Sequence, residues 1–135
     1  MAAIRQQINI AVPVRAVWKA LTTDDGLAAW WGEAARIDAR DGGRVVLSLG
    51  GEGGELRGLV HELRPTRTVE IAWDNVGQAS AKGTRVTFGL ARDGEETRLS
   101  VVHSGAGALD DAEQRAALEE SWRKALLKLR TWLEG

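Results

Sequence analysis

The chain of 135 residues has the length of one ordinary domain, and we expect residues 1–135 to form a single domain. Eighteen lysines and arginines against 19 aspartates and glutamates give a formal net charge of −1, so the broad electrostatic attraction of a nucleic-acid or anionic-membrane binder is missing. The absence of cysteine excludes disulfides, thiolate catalysis and cysteine-ligated metals. No window is apolar enough for a signal sequence or a membrane span, and we therefore expect a cytoplasmic protein.

The first part of the chain predicts a strand followed by two short helices. Apolar residues alternate with polar ones from Ile4 to Val12, which indicates a half-buried strand. Pro13 ends this strand and suits the first turn of a helix. The apolar positions of that helix are Val14, Val17, Trp18 and Leu21. A second helix is predicted from Asp24 to Trp31, with Thr23 or Asp24 as its N-cap.

From Ile37 onward a period of two returns, which predicts an antiparallel sheet built from hairpins. The glycine-rich run 50–54 and the sequence Arg92-Asp93-Gly94 both predict turns, and Pro65 ends a strand. The inward-facing residues of these strands are predicted to be Val45, Leu47 and Leu49; Leu56, Gly58 and Val60; Val69, Ile71 and Trp73; Val86, Phe88 and Leu90; and Leu99, Val101 and His103.

The last predicted element is a long helix from Asp110 to Leu133, in which Asp110 and Glu113 form a capping box. Its apolar stripe consists of Leu118, Trp122, Ala125, Leu126, Leu129 and Leu133. One amphipathic helix cannot cover a flat six-stranded sheet, so the sheet must curl around it. The predicted fold is α+β of the helix-grip type: a curved antiparallel sheet of about six to seven strands around a long C-terminal helix, with two short helices after the first strand.

Motifs along nearly the whole chain resemble the SRPBCC/START-like superfamily of Bet v-type helix-grip proteins. Its opening motif is similar to Ala11-Val12-Pro13-Val14-x-x-Val17-Trp18-x-Ala20-Leu21-Thr22. The later motifs, in the family's order, are Trp30-Trp31, Asp41-Gly42-Gly43-Arg44, Gly58-Leu59-Val60, Pro65, Trp73, Gly83-Thr84, Leu99-x-Val101-x-His103-Ser104-Gly105, and Trp122 with Leu126 and Leu129. The ordered set most resembles the branch named after the activator of the heat-shock-protein-90 ATPase. This resemblance implies a hydrophobic cavity between the sheet and the final helix, in a family of carriers, cyclases, hydrolases and co-chaperone domains.

Six tryptophans in a chain without tyrosine indicate either a thick core or a cavity to line. Because Trp30 and Trp31 are consecutive, we expect them to point in different directions from a short helix, with one of them buried and the other exposed or at a pocket entrance. Core packing accounts for at least half of the indoles, while the remainder suit a flat or apolar ligand. The predicted ligand-binding residues are Trp30, Trp31, Val45, Leu47, Val60, Trp73, Phe88, Val101, His103, Leu118, Trp122 and Leu126.

Two residues, His103 and Glu62, are weak candidates for catalysis. Strand parity directs His103 inward, where it is either a core histidine hydrogen-bonded to backbone groups or a polar anchor or general base facing the cavity. Glu62 shares the parity of Val60 and could act as an acid if it faced inward, although a rim position suits it better. With only two histidines and no HExxH or HxH pattern, no metal site and no cofactor are expected.

Three functions remain open after this reading of the sequence. The first is binding of a hydrophobic or aromatic small molecule, without catalysis, between the sheet and the C-terminal helix. The second is a co-chaperone that docks on a heat-shock-protein-90-type ATPase, and the third is a cyclase or hydrolase of hydrophobic substrates using His103 or Glu62. We expect a small-molecule partner, with a chaperone as the alternative, no nucleic-acid or membrane partner, and a monomer or homodimer.

Overall fold

The computed structural model describes residues 3–48, 54–77, 84–105 and 111–135. These residues form seven strands and three helices. In chain order the elements are β1 (Ala3–Ile10), α1 (Val14–Thr22), α2 (Asp24–Trp30), β2 (Ala34–Ile37), β3 (Arg44–Ser48), β4 (Glu55–Arg64), β5 (Thr68–Gly77), β6 (Arg85–Asp93), β7 (Glu96–Ser104) and α3 (Ala112–Glu134). None of these helices is long and apolar enough to cross a membrane.

The strands form one antiparallel sheet in the order β1-β7-β6-β5-β4-β3-β2. Apart from β1, which returns to pair with β7, each strand pairs with its neighbour in sequence, as expected for hairpins. The buried residues of α3, which are Trp122, Leu126 and Leu129, belong to the same apolar core as the inward-facing strand residues. The predicted α+β helix-grip fold is therefore confirmed.

The strand residues that were predicted to face inward are buried wherever the structure describes them. Val45, Leu47, Val60, Val69, Ile71, Val86, Phe88, Leu99 and Val101 are all at most 1% exposed. The two-residue turn at Gly94 joins Asp93 to its partner Glu96, and Gly94 has a φ of 66°, which a glycine adopts without strain. The predictions for Leu49, for glycines 50–53, for Gly83 and for Asp110 concern positions outside the described residues.

The sequence misplaced two element ends at the start of the chain. Strand β1 ends at Ile10, not at Val12, because the chain turns away there to bond with other elements. The Ala11 N–H donates to the Glu134 carboxylate at 2.7 Å, and the Thr97 hydroxyl donates to the Val12 carbonyl at 2.8 Å. Helix α2 ends one residue early, at Trp30, while its N-cap is Thr23 as predicted, since the Thr23 Oγ1 accepts from the Gly26 N–H.

The cap of α3 and the strand β2 were also not predicted correctly. Asp111, not Asp110, is the N-cap of α3, because its carboxylate reaches the N–H groups of Glu113 at 2.9 Å and Gln114 at 3.4 Å. Strand β2 was missed as a separate element because its four residues include two alanines and none is fully buried. It completes the edge of the sheet beside β3.

Gly58 provides the space in which the Trp73 indole lies over strand β4. The two residues are register partners, and a Cβ at Gly58 would lie 2.3 Å from the Ala72 carbonyl oxygen and 2.9 Å from Trp73 Cε3. A β-bulge between Leu56 and Gly58 shifts the register at this point. A glycine on the inner face is therefore a packing requirement of the neighbouring tryptophan.

We expect Gly58→Ala to lower the free energy of unfolding by about 1–3 kcal/mol, since the added methyl group must displace backbone or the Trp73 ring. Gly89→Ala is the matched control, because a Cβ there would meet only the Ser100 Cβ at 4.0 Å. That control should be neutral or slightly stabilising in a urea titration. Equal stability of the two variants would contradict the packing described for Gly58.

Candidate functional site

Five aromatic side chains meet between the sheet and α3, and we call them the aromatic cluster: Trp30, Trp31, Trp73, Phe88 and Trp122. They come from the C-terminal end of α2, from β5 and β6, and from the middle of α3. Trp30 and Trp31 lie at the end of α2. Trp73 and Phe88 lie at inward-facing positions of the sheet. The cluster thus joins three parts of the fold at one point.

Trp31 is the residue that links the cluster. Its ring centroid lies 5.1 Å from Trp122, 5.6 Å from Phe88 and 5.7 Å from Trp73. It also stacks on Trp30 at 5.4 Å, with the two planes inclined by 19°. These separations are typical of favourable offset and edge-to-face aromatic pairs.

The prediction that Trp30 and Trp31 point in different directions is wrong. Trp31 is the C-cap residue of α2, and its N–H still bonds to the Leu27 carbonyl. At that position its ring turns back onto Trp30, so both indoles enter the same cluster. Their burial nevertheless differs, since Trp30 is 2% exposed and Trp31 is only half-buried.

His103 lies beside the cluster with hydrogen bonds at both ring nitrogens. The Trp122 Nε1–H donates to His103 Nδ1 at 3.1 Å, and His103 Nε2 lies 2.9 Å from the Thr84 hydroxyl oxygen. Because Nδ1 accepts, the neutral ring carries its proton on Nε2, which donates to Thr84. His103 and Thr84 are both at most 3% exposed.

Burial lowers the pKa of His103 from 6.5 to about 4, because the low-dielectric surroundings disfavour the charged imidazolium. The imidazole is therefore neutral near pH 7. A neutral ring with both nitrogens bonded to protein side chains holds Trp122 in place, and neither nitrogen has a lone pair or proton left for a substrate. The geometry supports the interpretation of a core histidine, although its partners are side chains, not the backbone groups that we expected.

Ten of the twelve residues predicted to bind ligand are buried: Trp30, Val45, Leu47, Val60, Trp73, Phe88, Val101, His103, Trp122 and Leu126. The other two, Trp31 and Leu118, are half-buried. The buried residues form one continuous core, with Trp31 and Leu118 packed at its border. Trp31 is thus the one ring of the aromatic cluster that is not fully buried.

The second catalytic candidate lies apart from the aromatic cluster. The Glu62 carboxylate pairs with Arg64 at 2.6 Å, and its side chain is 41% exposed. A register shift between Val60 and Glu62 breaks the inward parity on which an inward-facing Glu62 depended. The described residues also contain no group of three or more histidine, aspartate or glutamate side chains that could hold a metal ion.

The N-terminal half of α3 contacts the core much less than the C-terminal half. Between Ala112 and Ser121 only Arg115 and Leu118 are half-buried, and the other residues are exposed. Tight packing begins at Trp122. Leu118, on this loosely packed half, lies one helical turn before Trp122 of the aromatic cluster.

A separate surface cavity of about 560 Å³ lies beside the start of α1 and the β6–β7 turn. Its lining includes Arg15, Thr66, Arg92, Glu95 and Glu96. The mixture of both charges makes it unlike the apolar surroundings of the aromatic cluster, and it contains none of the predicted ligand-binding residues.

Two residues of the site were not recognised from the sequence. Thr84 was noted only as part of a motif, although it is the buried partner of His103. Gly58 was noted only for its parity, although it determines where Trp73 lies. A glycine at an inward strand position, in a sheet that also carries an inward tryptophan, is the sequence signal that could have revealed the role of Gly58.

Comparison with known proteins gives one family and many similar folds. The family model described as activator of Hsp90 ATPase homolog 1-like protein matches residues 11–134. No curated protein matches the chain. The Aha1 dimer from Colwellia psychrerythraea, solved in solution, is 28% identical with a TM-score of 0.84, and the match covers 99% of this chain and 97% of that one.

Two further solved structures share the fold at lower sequence identity. Protein MLL2253 from Mesorhizobium loti is 23% identical with a TM-score of 0.84, and the match covers 98% of this chain and 96% of that chain. CalU16 from Micromonospora echinospora is 23% identical with a TM-score of 0.78, covering 97% of this chain and 75% of that one.

Proposed function

The chain belongs to the family of activator of Hsp90 ATPase homolog 1-like proteins, and we propose that it binds an apolar or aromatic small molecule between the sheet and the N-terminal half of α3. The observation that carries this proposal is the aromatic cluster, in which Trp31 is half-buried while the other four rings are buried. Concave sites lined by aromatic side chains with few polar groups are typical of small-molecule binding.

The arrangement of α3 supports this location. Its C-terminal half is anchored by Trp122, Leu126 and Leu129, whereas Arg115 and Leu118 are the only half-buried residues between Ala112 and Ser121. A ligand beside Trp31 would cover apolar surface that the helix leaves half-exposed, and about 25 cal/mol is gained for each Å² of apolar surface removed from water. The ligand would thus complete the packing of the aromatic cluster.

Binding without catalysis fits the chemistry of the site better than a cyclase or hydrolase. His103 is neutral, and both of its nitrogens bond to Trp122 and Thr84. Glu62 pairs with Arg64 outside the cluster. The two candidates for general acid or base chemistry therefore have other partners, and a general base must reach the proton that it abstracts.

Binding of the neutral fluorescent probe N-phenyl-1-naphthylamine tests this proposal. We expect saturable binding of one probe per chain, with energy transfer from the tryptophans to the probe. Trp31→Ala should weaken the binding by about tenfold, because it removes the aromatic face on which the probe stacks.

Trp132→Ala is the matched control, because this tryptophan is 48% exposed near the end of α3 and is not part of the aromatic cluster. Its affinity for the probe should equal that of the unsubstituted chain. Equal or tighter binding by Trp31→Ala would contradict a ligand position against Trp31. An absence of saturable binding by the unsubstituted chain would contradict the proposed function itself.

A second candidate function is docking on a heat-shock-protein-90-type ATPase. It is favoured by the description of the matching family and by the name of the Colwellia psychrerythraea protein. Under this proposal the chain would raise the ATP hydrolysis rate of a purified ATPase of that type. An unchanged rate at a saturating concentration of the chain would exclude it.

Because the Colwellia protein is a dimer, we also propose a homodimer, with about twice the 14.6 kDa mass of one chain.

A further inference from the structure

The aromatic cluster contains four indole N–H groups, and two of them donate hydrogen bonds to other residues. The Trp30 Nε1–H donates to the Ala20 carbonyl at 2.9 Å, and the Trp122 Nε1–H donates to His103 Nδ1 at 3.1 Å. The N–H groups of Trp31 and Trp73 have no acceptor among the residues that the structure describes. The two unpaired donors belong to neighbouring rings whose centroids lie 5.7 Å apart.

The unpaired donor on Trp73 is the more informative one because this residue is only 4% exposed. A buried N–H without an acceptor destabilises the folded protein, and most buried donors in proteins are paired. The Trp73 Cε3 atom faces Gly58 on β4. An acceptor atom supplied by a ligand would pair this donor.

The cluster and its polar neighbours carry no charge near pH 7. Its five rings are neutral, and burial holds the pKa of His103 at about 4, so the imidazole is neutral as well. A carboxylate or ammonium group beside these rings would be desolvated without an opposite charge from the cluster. The five rings and His103 therefore favour a neutral group against the cluster.

We propose, resting on the small-molecule binding proposed above, that the ligand is a neutral planar aromatic compound with a carbonyl oxygen, which accepts hydrogen bonds from the Nε1–H groups of Trp73 and Trp31. Its ring stacks on Trp31 at the border of the cluster, and its oxygen pairs two donors that have no acceptor among the described residues. Trp73 is thereby the residue that selects a ligand with an acceptor, and Trp31 provides both an aromatic face and a donor.

Two probes of nearly equal shape test this inference, namely 1-indanone, which has a ketone oxygen, and indane, which lacks it. In ¹H–¹⁵N NMR spectra, 1-indanone should move the Nε1–H signals of Trp31 and Trp73 downfield, and it should slow their exchange with water. The signals of Trp30 and Trp122 should move less, because their donors are already paired. Indane should produce no downfield shift of either signal.

Trp73→Phe removes the donor and keeps an aromatic ring, and Trp132→Phe is the matched control at an exposed position. Trp73→Phe should weaken 1-indanone binding by about two- to tenfold more than it weakens indane binding, because only the ketone loses a hydrogen-bond donor. Equal affinity of the unsubstituted chain for the two probes, without a downfield shift at Trp31 or Trp73, would overturn the acceptor inference while leaving small-molecule binding intact. An absence of binding by both probes would overturn both.

Discussion

Replacing Trp30 with alanine is expected to lower the free energy of unfolding by about 3–5 kcal/mol. The side chain is 2% exposed, stacks on Trp31 and meets Phe88 edge-to-face at 6.0 Å. Its removal would leave a large cavity and would leave the Ala20 carbonyl, at the end of the 2.9 Å bond, without its donor. A domain of this size has about 5–15 kcal/mol of stability, so the variant should still fold.

Trp132→Ala provides the comparison, because it makes the same chemical change at a tryptophan that is 48% exposed. This variant should remain within about 0.5 kcal/mol of the unsubstituted chain in a guanidinium titration. Similar losses of stability for the two variants would contradict the buried position of Trp30 in the aromatic cluster.

Acidification from pH 7 to pH 4 is expected to remove about 3 kcal/mol of stability through His103 alone. The pKa of this histidine is about 4 in the folded chain, because burial disfavours the charged form, and 6.5 is its ordinary value. As the pH falls through 6.5, the unfolded chain takes up a proton that the folded chain does not bind until about pH 4. The stability that His103 contributes is therefore lost as the pH falls from 6.5 to about 4. His103 causes no further loss at lower pH.

The comparison of His103→Gln with the unsubstituted chain isolates this effect from the titration of the carboxylates. A glutamine can accept from the Trp122 Nε1–H and donate to Thr84, but it cannot be protonated in this range. The pH dependence of its unfolding free energy between pH 6.5 and 4 should be shallower by up to one proton. An equal slope for His103→Gln would contradict the lowered pKa of the buried imidazole.

Periodicity predicted most of the fold because it reports burial directly. Alternation identified the inner faces of the long strands, and the helical stripe through Trp122, Leu126 and Leu129 identified the buried face of α3. Strand β2 was missed because four residues flanked by loops carry too short a pattern. The cap of α3 was placed one residue early because Asp110 and Asp111 offer the same side chain, and only the backbone geometry decides between them.

The site could be predicted as a set of residues but not as an arrangement. Parity indicated that His103 and Trp73 face inward, and both are buried. The ring contacts of Trp31 depend on the backbone at the end of α2, which the sequence does not encode in any periodic pattern. The bonds of His103 to Thr84 and Trp122 join positions on three different elements, so they follow from the tertiary fold alone.

The most direct test of the account is the position of a bound aromatic ring on the protein. Isotope-filtered NMR of the ¹³C,¹⁵N-labelled chain with unlabelled 1-indanone measures which protein protons lie close to the ligand. Contacts from the ligand to the rings of Trp31, Trp73 and Trp122 and to the Leu118 methyl groups are the result that the account predicts. Contacts confined to other parts of the chain, such as the cavity beside Arg15 and Arg92, would contradict binding at the aromatic cluster.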